Sequence, residues 1–281
     1  MTNTLELRAG DLRLALRPDL GGATSGLWLA GEPVLRSIEP DALDSVRRSG
    51  NYALVPYSSR IGYRHFRWLG RDYTLAPNVD EPHSLHGVGW QRPWRVEAQV
   101  EHAASLVYEH PGDEHWPFPF VARQRIMLQP LRMHLELEVT NKADMIAPIG
   151  MGWHPFFPKR QRSRLHAEVS HRWEAEPTLL PTRPVAQPGI DADVAHLSFD
   201  NCFDGWGGAA RIRDEKLSLA LTSSLDRLVV YTPPQQPFFA VEPVSHVNNA
   251  INMAVPETHG LRRVEPESSV SAWMLLQVSK V

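Results

Sequence analysis

Two ionisable side chains, each directly before a proline in an apolar stretch, are the residues best placed to do chemistry. His154 lies in Gly150-Met151-Gly152-Trp153-His154-Pro155-Phe156-Phe157-Pro158, and Glu242 in Phe239-Ala240-Val241-Glu242-Pro243. A proline biases the residue before it towards extended backbone. Both groups are therefore expected at strand ends, with few conformations open to them. A histidine and a carboxylate held still, with no nucleophile motif nearby, point to proton transfer rather than covalent catalysis. Four further positions share this local character. Arg60 follows two serines in Ser58-Ser59-Arg60-Ile61-Gly62, and His86 stands in Leu85-His86-Gly87-Val88-Gly89, where two glycines would let a ligand approach the backbone. Asp204 ends Asp200-Asn201-Cys202-Phe203-Asp204, and Asn252 ends Asn248-Asn249-Ala250-Ile251-Asn252.

The elements that must position these residues read as strands. Apolar residues alternate at Leu5 and Leu7, then at Leu12, Leu14 and Leu16, across the turn Ala9-Gly10-Asp11, which predicts a hairpin. The same pattern recurs at Leu27-Trp28-Leu29 before Ala30-Gly31-Glu32-Pro33, at Phe66-Arg67-Trp68 before Gly70-Arg71-Asp72, and at Ile126-Met127-Leu128 before the run Leu131 to Val139. It continues through Leu217 to Leu221, Leu228 to Tyr231, Phe238 to Val241 and Ala272 to Leu276. Only Asp41 to Val46 suggests a short helix. The 24 prolines oppose long helices, and no Gly-rich phosphate loop follows a strand. The pattern predicts an all-β antiparallel sandwich or barrel over residues 1–281 as one domain, with Pro177 to Pro188 as a long surface loop.

Composition narrows the partners. A formal net charge of -3 gives no electrostatic reason for a nucleic-acid or anionic-membrane partner, so a small neutral ligand is expected. The single cysteine, Cys202, cannot form an internal disulfide, which fits a reducing compartment and an inert packing role. With no signal-peptide pattern and no apolar run near the ~20 residues of a membrane span, the expectation is a cytoplasmic protein. Nine tryptophans offer flat surfaces for the C–H faces of sugar rings, Trp153 and Trp206 being the candidates beside His154 and Asp204.

Taken together and in order, these segments resemble the aldose 1-epimerase family, the galactose mutarotases. The matching stretches are Asn51 to Gly62, Leu85-His86-Gly87, Gly152 to Phe157, Asp200 to Asp204, and Glu242 with Asn252 ten positions on. The resemblance implies a large antiparallel β-sandwich, or supersandwich, with an open cleft for a sugar. It implies Glu242 as general base, His154 as general acid, and Arg60, His86 and Asp204 as substrate-holding residues. Neither a cofactor nor a metal is required, and the partner is a small-molecule sugar; a monomer or homodimer is expected. Ring opening needs the anomeric hydroxyl deprotonated while the ring oxygen is protonated. Ordinary pKa values of about 4.3 for Glu and about 6.5 for His leave the acid mostly neutral at pH 7. A nearby carboxylate, Glu242 or Asp204, is expected to raise it and to give an alkaline limb near the histidine range.

The chain departs from the usual family pattern at Ser59, where asparagine is common, at Phe156, where tyrosine is common, and at Pro243-Val244-Ser245-His246-Val247 after the base. His246 has no counterpart there and is expected on the surface or behind the substrate contacts. Three alternatives differ in chemistry. A sugar-phosphate mutarotase would need converging basic groups, for which Arg64, Arg67, Arg71, Lys159, Arg160 and Arg162 are candidates. A carbohydrate-binding protein would have no need of a matched acid and base. A metal hydrolase built on His86, His154 and Glu242 lacks any His-x-x-x-His or His-x-His pair.

Overall fold

Strict alternation along Arg132–Asn141 sends Met133, Leu135, Leu137 and Val139 to one face and leaves the residues between them part-exposed, the pattern of a strand with one face on a core. A computed structural model describes residues 4–281, and such strands build nearly all of it. Nine of them form one antiparallel sheet, in the order Arg95–Val100, Ala103–His110, Phe120–Gln129, Arg132–Asn141, Ser269–Lys280, Leu217–Ser223, Ala209–Arg213, Arg164–Ala167 and Ile190–Asp193. A second antiparallel sheet runs Pro181–Ala186, His171–Ala175, Asp200–Asp204, Arg227–Tyr231, Phe238–Val244, then Gly152–Trp153 and Ala53–Leu54, with Phe156–Pro158 also paired to Phe238–Val244. The hairpin Leu5–Ala9 with Leu12–Arg17 belongs to a four-stranded sheet.

The second sheet is largely buried on both faces at Arg227–Tyr231, Phe238–Val244, Gly152–Trp153 and Ala53–Leu54, and there its two faces do different things. Ala53, Trp153, Phe157, Phe203, Leu228, Val230, Phe239 and Val241 join the main core shared with the nine-stranded sheet. Their alternate neighbours Leu54, Phe156, Cys202, Val229, Ala240 and Val244 form a separate apolar cluster with Tyr52 and Trp90. Period-two geometry thus divides one set of strands between a structural core and the floor of a cleft.

Three expectations need correction. The stretch 41–46 is not one helix; single 3₁₀ turns at Pro40–Ala42 and Val46–Arg48 take in its two ends, each too short to offer a buried face. The proline-rich segment is not all loop. Pro181–Ala186 pairs with His171–Ala175 as the last strand of the second sheet, and an edge strand tolerates Pro181 and Pro184 because one side of it has no ladder to supply. Glu242 is not at a strand end but inside Phe238–Val244. Among the described residues, no helix is long and apolar enough to cross a membrane.

Candidate active site

Register brings the two proline-flanked residues together. Gly152 pairs with Val244 and Phe156 with Ala240, so counting two residues inward from either pair sets His154 directly across from Glu242. Direct cross-strand neighbours stand about 5 Å apart at Cβ and share a face. Pro155 and Pro243 lack the N–H groups that would close the ladder here. The chain therefore bends through His154 while its backbone N–H donates to the carbonyl of Tyr52 on the other side, at 3.0 Å. The result is a contact of 3.3 Å between His154 Nε2 and Glu242 Oε1.

The same registers lay out the floor in rows. Glu242 aligns with Val229 and Cys202, and the adjacent row runs Phe156, Ala240, Tyr231, Asp200. Around them lies a cleft of about 290 Å³, near the lower end of small-molecule sites, lined by Tyr52, Arg60, His86, Trp90, Phe156 and Asp200 among others, with His154 and Glu242 at its base. Tyr52 stacks on Trp90, ring centroids 5.6 Å apart, and Phe156 stacks on His154 at 4.2 Å. These flat walls restrict the imidazole and exclude water.

Water exclusion decides the charge states. Burial pushes Glu242 well above the ordinary carboxylate range, and the Asp200 carboxyl nearby adds to the shift. Burial pushes His154 down to about 3, with the Arg36 guanidinium opposing a second positive charge. His154 Nδ1 is buried without a hydrogen-bond partner, so an imidazolium would carry one unsatisfied N–H. The expectation that a carboxylate raises His154 is thus reversed: the carboxylate is within reach, but loss of hydration outweighs it. Left to itself the pair is neutral and holds a single titratable proton between the two groups.

His86 is fixed by a different device. Its backbone is left-handed, φ 59°, as is that of Ser59, φ 56°, and the two residues exchange bonds: His86 N–H to the Ser59 carbonyl at 2.8 Å and Ser59 N–H to His86 Nδ1 at 3.0 Å. Because Nδ1 accepts, the neutral imidazole that burial enforces carries its proton on Nε2, a donor facing the cleft. The glycines after it serve packing, not a ligand: a Cβ on Gly87, φ 69°, would strike the Val55 carbonyl, and one on Gly89 the Val55 side chain. Arg60 reaches the cleft with Nε bound to Glu81 at 3.0 Å.

Asp204 does not line the cleft. Residues 200, 202 and 204 share a face, and Asp204 falls on the far side of the Glu242 row, where its carboxylate accepts from Trp173 Nε1 at 2.6 Å and meets Arg227 at 3.0 Å. Asp200, which the sequence reading passed over, is the aspartate in the cleft; burial raises its carboxyl above the ordinary range. Its signal was present as the other acidic end of a five-residue strand with period-two alternation. The tryptophans differ too. Trp153 lies in the main core with Nε1 on Gln124, and Trp206 is buried with Nε1 on the Ala209 carbonyl, whereas Trp90 forms the wall. Asn252 holds the His65 carbonyl, outside the cleft. His246 is buried rather than exposed, accepting from Ser58 N–H and contacting the Val247 carbonyl, and burial takes it down to about 4. It braces the segment that leads into Ser59 and Arg60.

Of the basic residues weighed for a phosphate, none lines the cleft: Arg160 is paired with Glu32 and Asp214, and Lys159 with the carbonyls of Pro233 and Pro234. Instead Arg36 and Arg47 do. Among the described residues no group of three metal-ligating side chains converges.

Comparison with known proteins adds an independent finding. A model of the aldose 1-epimerase family matches residues 3–277. The uncharacterized protein YphB of Escherichia coli K12 is 30% identical over 298 residues, covering 97% of each chain. A crystal structure of an Escherichia coli K12 protein with a provisional aldose 1-epimerase designation superposes over 100% of both chains, with TM-score 0.90 and 27% identity. A galactose mutarotase-like protein from Clostridium acetobutylicum shares the fold, with TM-score 0.88 and 18% identity over 99% of this chain and 95% of that one.

Proposed function

The chain belongs to the aldose 1-epimerase family, and on that premise we propose that it interconverts the α and β anomers of an aldose by acid–base ring opening and reclosure, with Glu242 as base and His154 as acid. The observation that carries this reading is the 3.3 Å contact between the two groups at the base of a cleft. The anomeric hydroxyl and the ring oxygen are bonded to the same carbon, so an acid and a base that serve both at once must themselves be neighbours. A wider separation would suit a reaction at two distant atoms.

The proton count is consistent with a reversible reaction. Ring opening consumes the ion-paired form: Glu242 takes the anomeric proton and His154 gives one to the ring oxygen. That leaves a neutral Glu242 and a neutral His154, the form that burial favours and the one reclosure needs. Rotation about the bond between the first two carbons presents the other carbonyl face, and the same groups then act in reverse. The pair holds one proton throughout. Desolvation favours its neutral form, and transfer across a 3.3 Å contact regenerates the ion pair.

Donors and acceptors around the pair suit a polyol. His86 Nε2–H and Arg60 offer donors, Asp200 accepts, and the rings of Tyr52, Trp90 and Phe156 pack against C–H faces. Time-resolved polarimetry on freshly dissolved single-anomer glucose, galactose, xylose and fucose tests the reading; acceleration of any of them supports it, and no acceleration of these or of any anionic aldose would remove it.

The two aspartates separate cleanly in such an assay. Asp200→Asn is expected to raise KM about tenfold to hundredfold, the loss of a hydrogen bond to a charged group, with a smaller change in kcat. Asp204→Asn is expected to lower the melting temperature by loosening Arg227 and Trp173, with KM little changed. The opposite assignment of effects would restore Asp204 to the substrate.

A further inference from the structure

The cleft carries more positive charge than the proton transfer uses. Arg60 is neutralised by Glu81. Arg36 and Arg47 also line the cleft, and among the described residues neither guanidinium has a carboxylate partner. Arg36 is held in place without being neutralised. Its Nε and one Nη donate to the Ser49 carbonyl at 2.9 and 2.6 Å, the same Nη donates to the Arg47 carbonyl at 2.6 Å, and its face lies 3.7 Å from the Phe156 ring centroid and 4.4 Å from that of Phe238. The second Nη keeps its donors. Arg47 is exposed, its guanidinium 5.6 Å from the Trp90 ring, and among the described residues its side chain makes no hydrogen bond.

A guanidinium that has lost much of its water and gained only carbonyl dipoles and two ring faces is short of a counter-ion, and burial draws Arg36 down to about 10. Nothing on the floor offsets it. Glu242 must stay free to exchange a proton, and Asp200 lies at the other end of the row that starts at Phe156, three strand spacings or about 14 Å away. The cleft is thus polarised, with a carboxylate and the paired Arg60 at one end, Arg36 over Phe156 at the other, and Arg47 over the Trp90 wall. His154 stacks directly on Phe156, so a sugar whose anomeric carbon sits at His154 and Glu242 has its remaining carbons within reach of the Arg36 end.

We propose that the substrate is an aldose bearing an oxyanion, a carboxylate or a phosphate ester, which Arg36, over Phe156, and Arg47, over the Trp90 wall, bind in the cleft. The planar forks of two arginines match either oxyanion, and a hydroxyl alone would leave the desolvated Arg36 charge unanswered. This inference rests on the anomerase reading and deepens it by naming the substrate class.

Anomer exchange measured by NMR magnetisation transfer needs no isolated anomer and compares D-glucose, D-glucuronate, D-galacturonate and D-glucose 6-phosphate under one condition. The wild type is expected to show kcat/KM at least about tenfold higher for one anionic sugar than for glucose, with the preference eroded as salt rises. Arg47→Gln, at an exposed position that is safe for the fold, is expected to cut the anionic-to-neutral ratio about tenfold, through KM. A response to uronates alone assigns a carboxylate, and a response to the phosphate alone assigns a phosphate ester. Glucose exchange accelerated as well as that of every anionic sugar, or a ratio unmoved by Arg47→Gln, overturns the oxyanion site and leaves the anomerase reading standing. Acceleration of none of the four sugars overturns both.

Discussion

Glu242→Gln is expected to lower catalysed anomer exchange by about three orders of magnitude, within the 10²–10⁴-fold range of a lost general base, while leaving a folded and more stable protein. Gln preserves the size of the side chain and the cross-strand packing against Val229, so the loss reports proton exchange rather than shape. The stability gain follows from burial. Glu242 is 3% exposed, and its carboxyl titrates well above its ordinary value in the fold. The native state therefore holds this proton more tightly than the unfolded chain does. The stability this contributes is fully present below the unfolded pKa, about 4.3, and is lost as pH rises through the raised folded value. A glutamine has no proton to lose. The melting temperature of Glu242→Gln should thus exceed that of the wild type by a margin that widens as pH rises from about 4.3 to the raised folded value and is constant beyond it. A catalytic group kept at a cost in stability is what such a site requires. Near-normal exchange in the glutamine variant would sink the base assignment, and a widening margin would still show that the carboxyl is buried and strained.

How legible this was from the sequence differs by level. Strands were readable wherever one face met the core and the other met solvent, as in Arg132–Asn141, because alternation follows directly from period-two geometry. Pro181–Ala186 was misread because proline argues against a strand unless the strand is known to be an edge, and edges are a property of the whole sheet. The prolines after His154 and Glu242 marked two residues that the fold brings into contact, but for an incomplete reason. They do limit the backbone, but their larger effect is to open the ladder where the two strands cross, a relation that needs the register of strands nearly ninety residues apart. Asp200 and Asp204 share a face and a strand, so local pattern could not choose between them; the row each one occupies is set by pairing with Arg227–Tyr231. Trp90, Arg36 and Arg47 carried no local signal at all. They reach the cleft from loops and 3₁₀ turns whose placement depends on packing of distant segments, for instance the clip from Arg36 to the Ser49 carbonyl.

The pH profile provides the sharpest test of the shared proton, and it differs from what an isolated histidine would give. His154 gains a second titratable proton for the pair only near pH 3, and the last proton leaves as pH passes the raised Glu242 value. These are properties of the coupled pair, not of either residue alone. The wild-type kcat/KM should therefore show no acid limb in the ordinary histidine range near about 6.5, fall as pH passes the raised Glu242 value, and show its acid limb only near pH 3 for as long as the fold survives. A fall centred near pH 6.5 on the acid side would mean that His154 titrates as free imidazole, and the account of a pair with one proton would fail. His154→Asn takes the argument a step further. It removes the donor to the ring oxygen, with an expected loss of about 10²–10³-fold, and leaves Glu242 to act alone as a base. Residual exchange in that variant should then rise, not fall, as pH passes the Glu242 value, because only the ionised carboxylate can take the anomeric proton. Inversion of the alkaline limb is a result that a purely structural role for His154 does not produce. A residual rate that keeps the wild-type falling limb would assign the exchanged proton to some other group in the cleft.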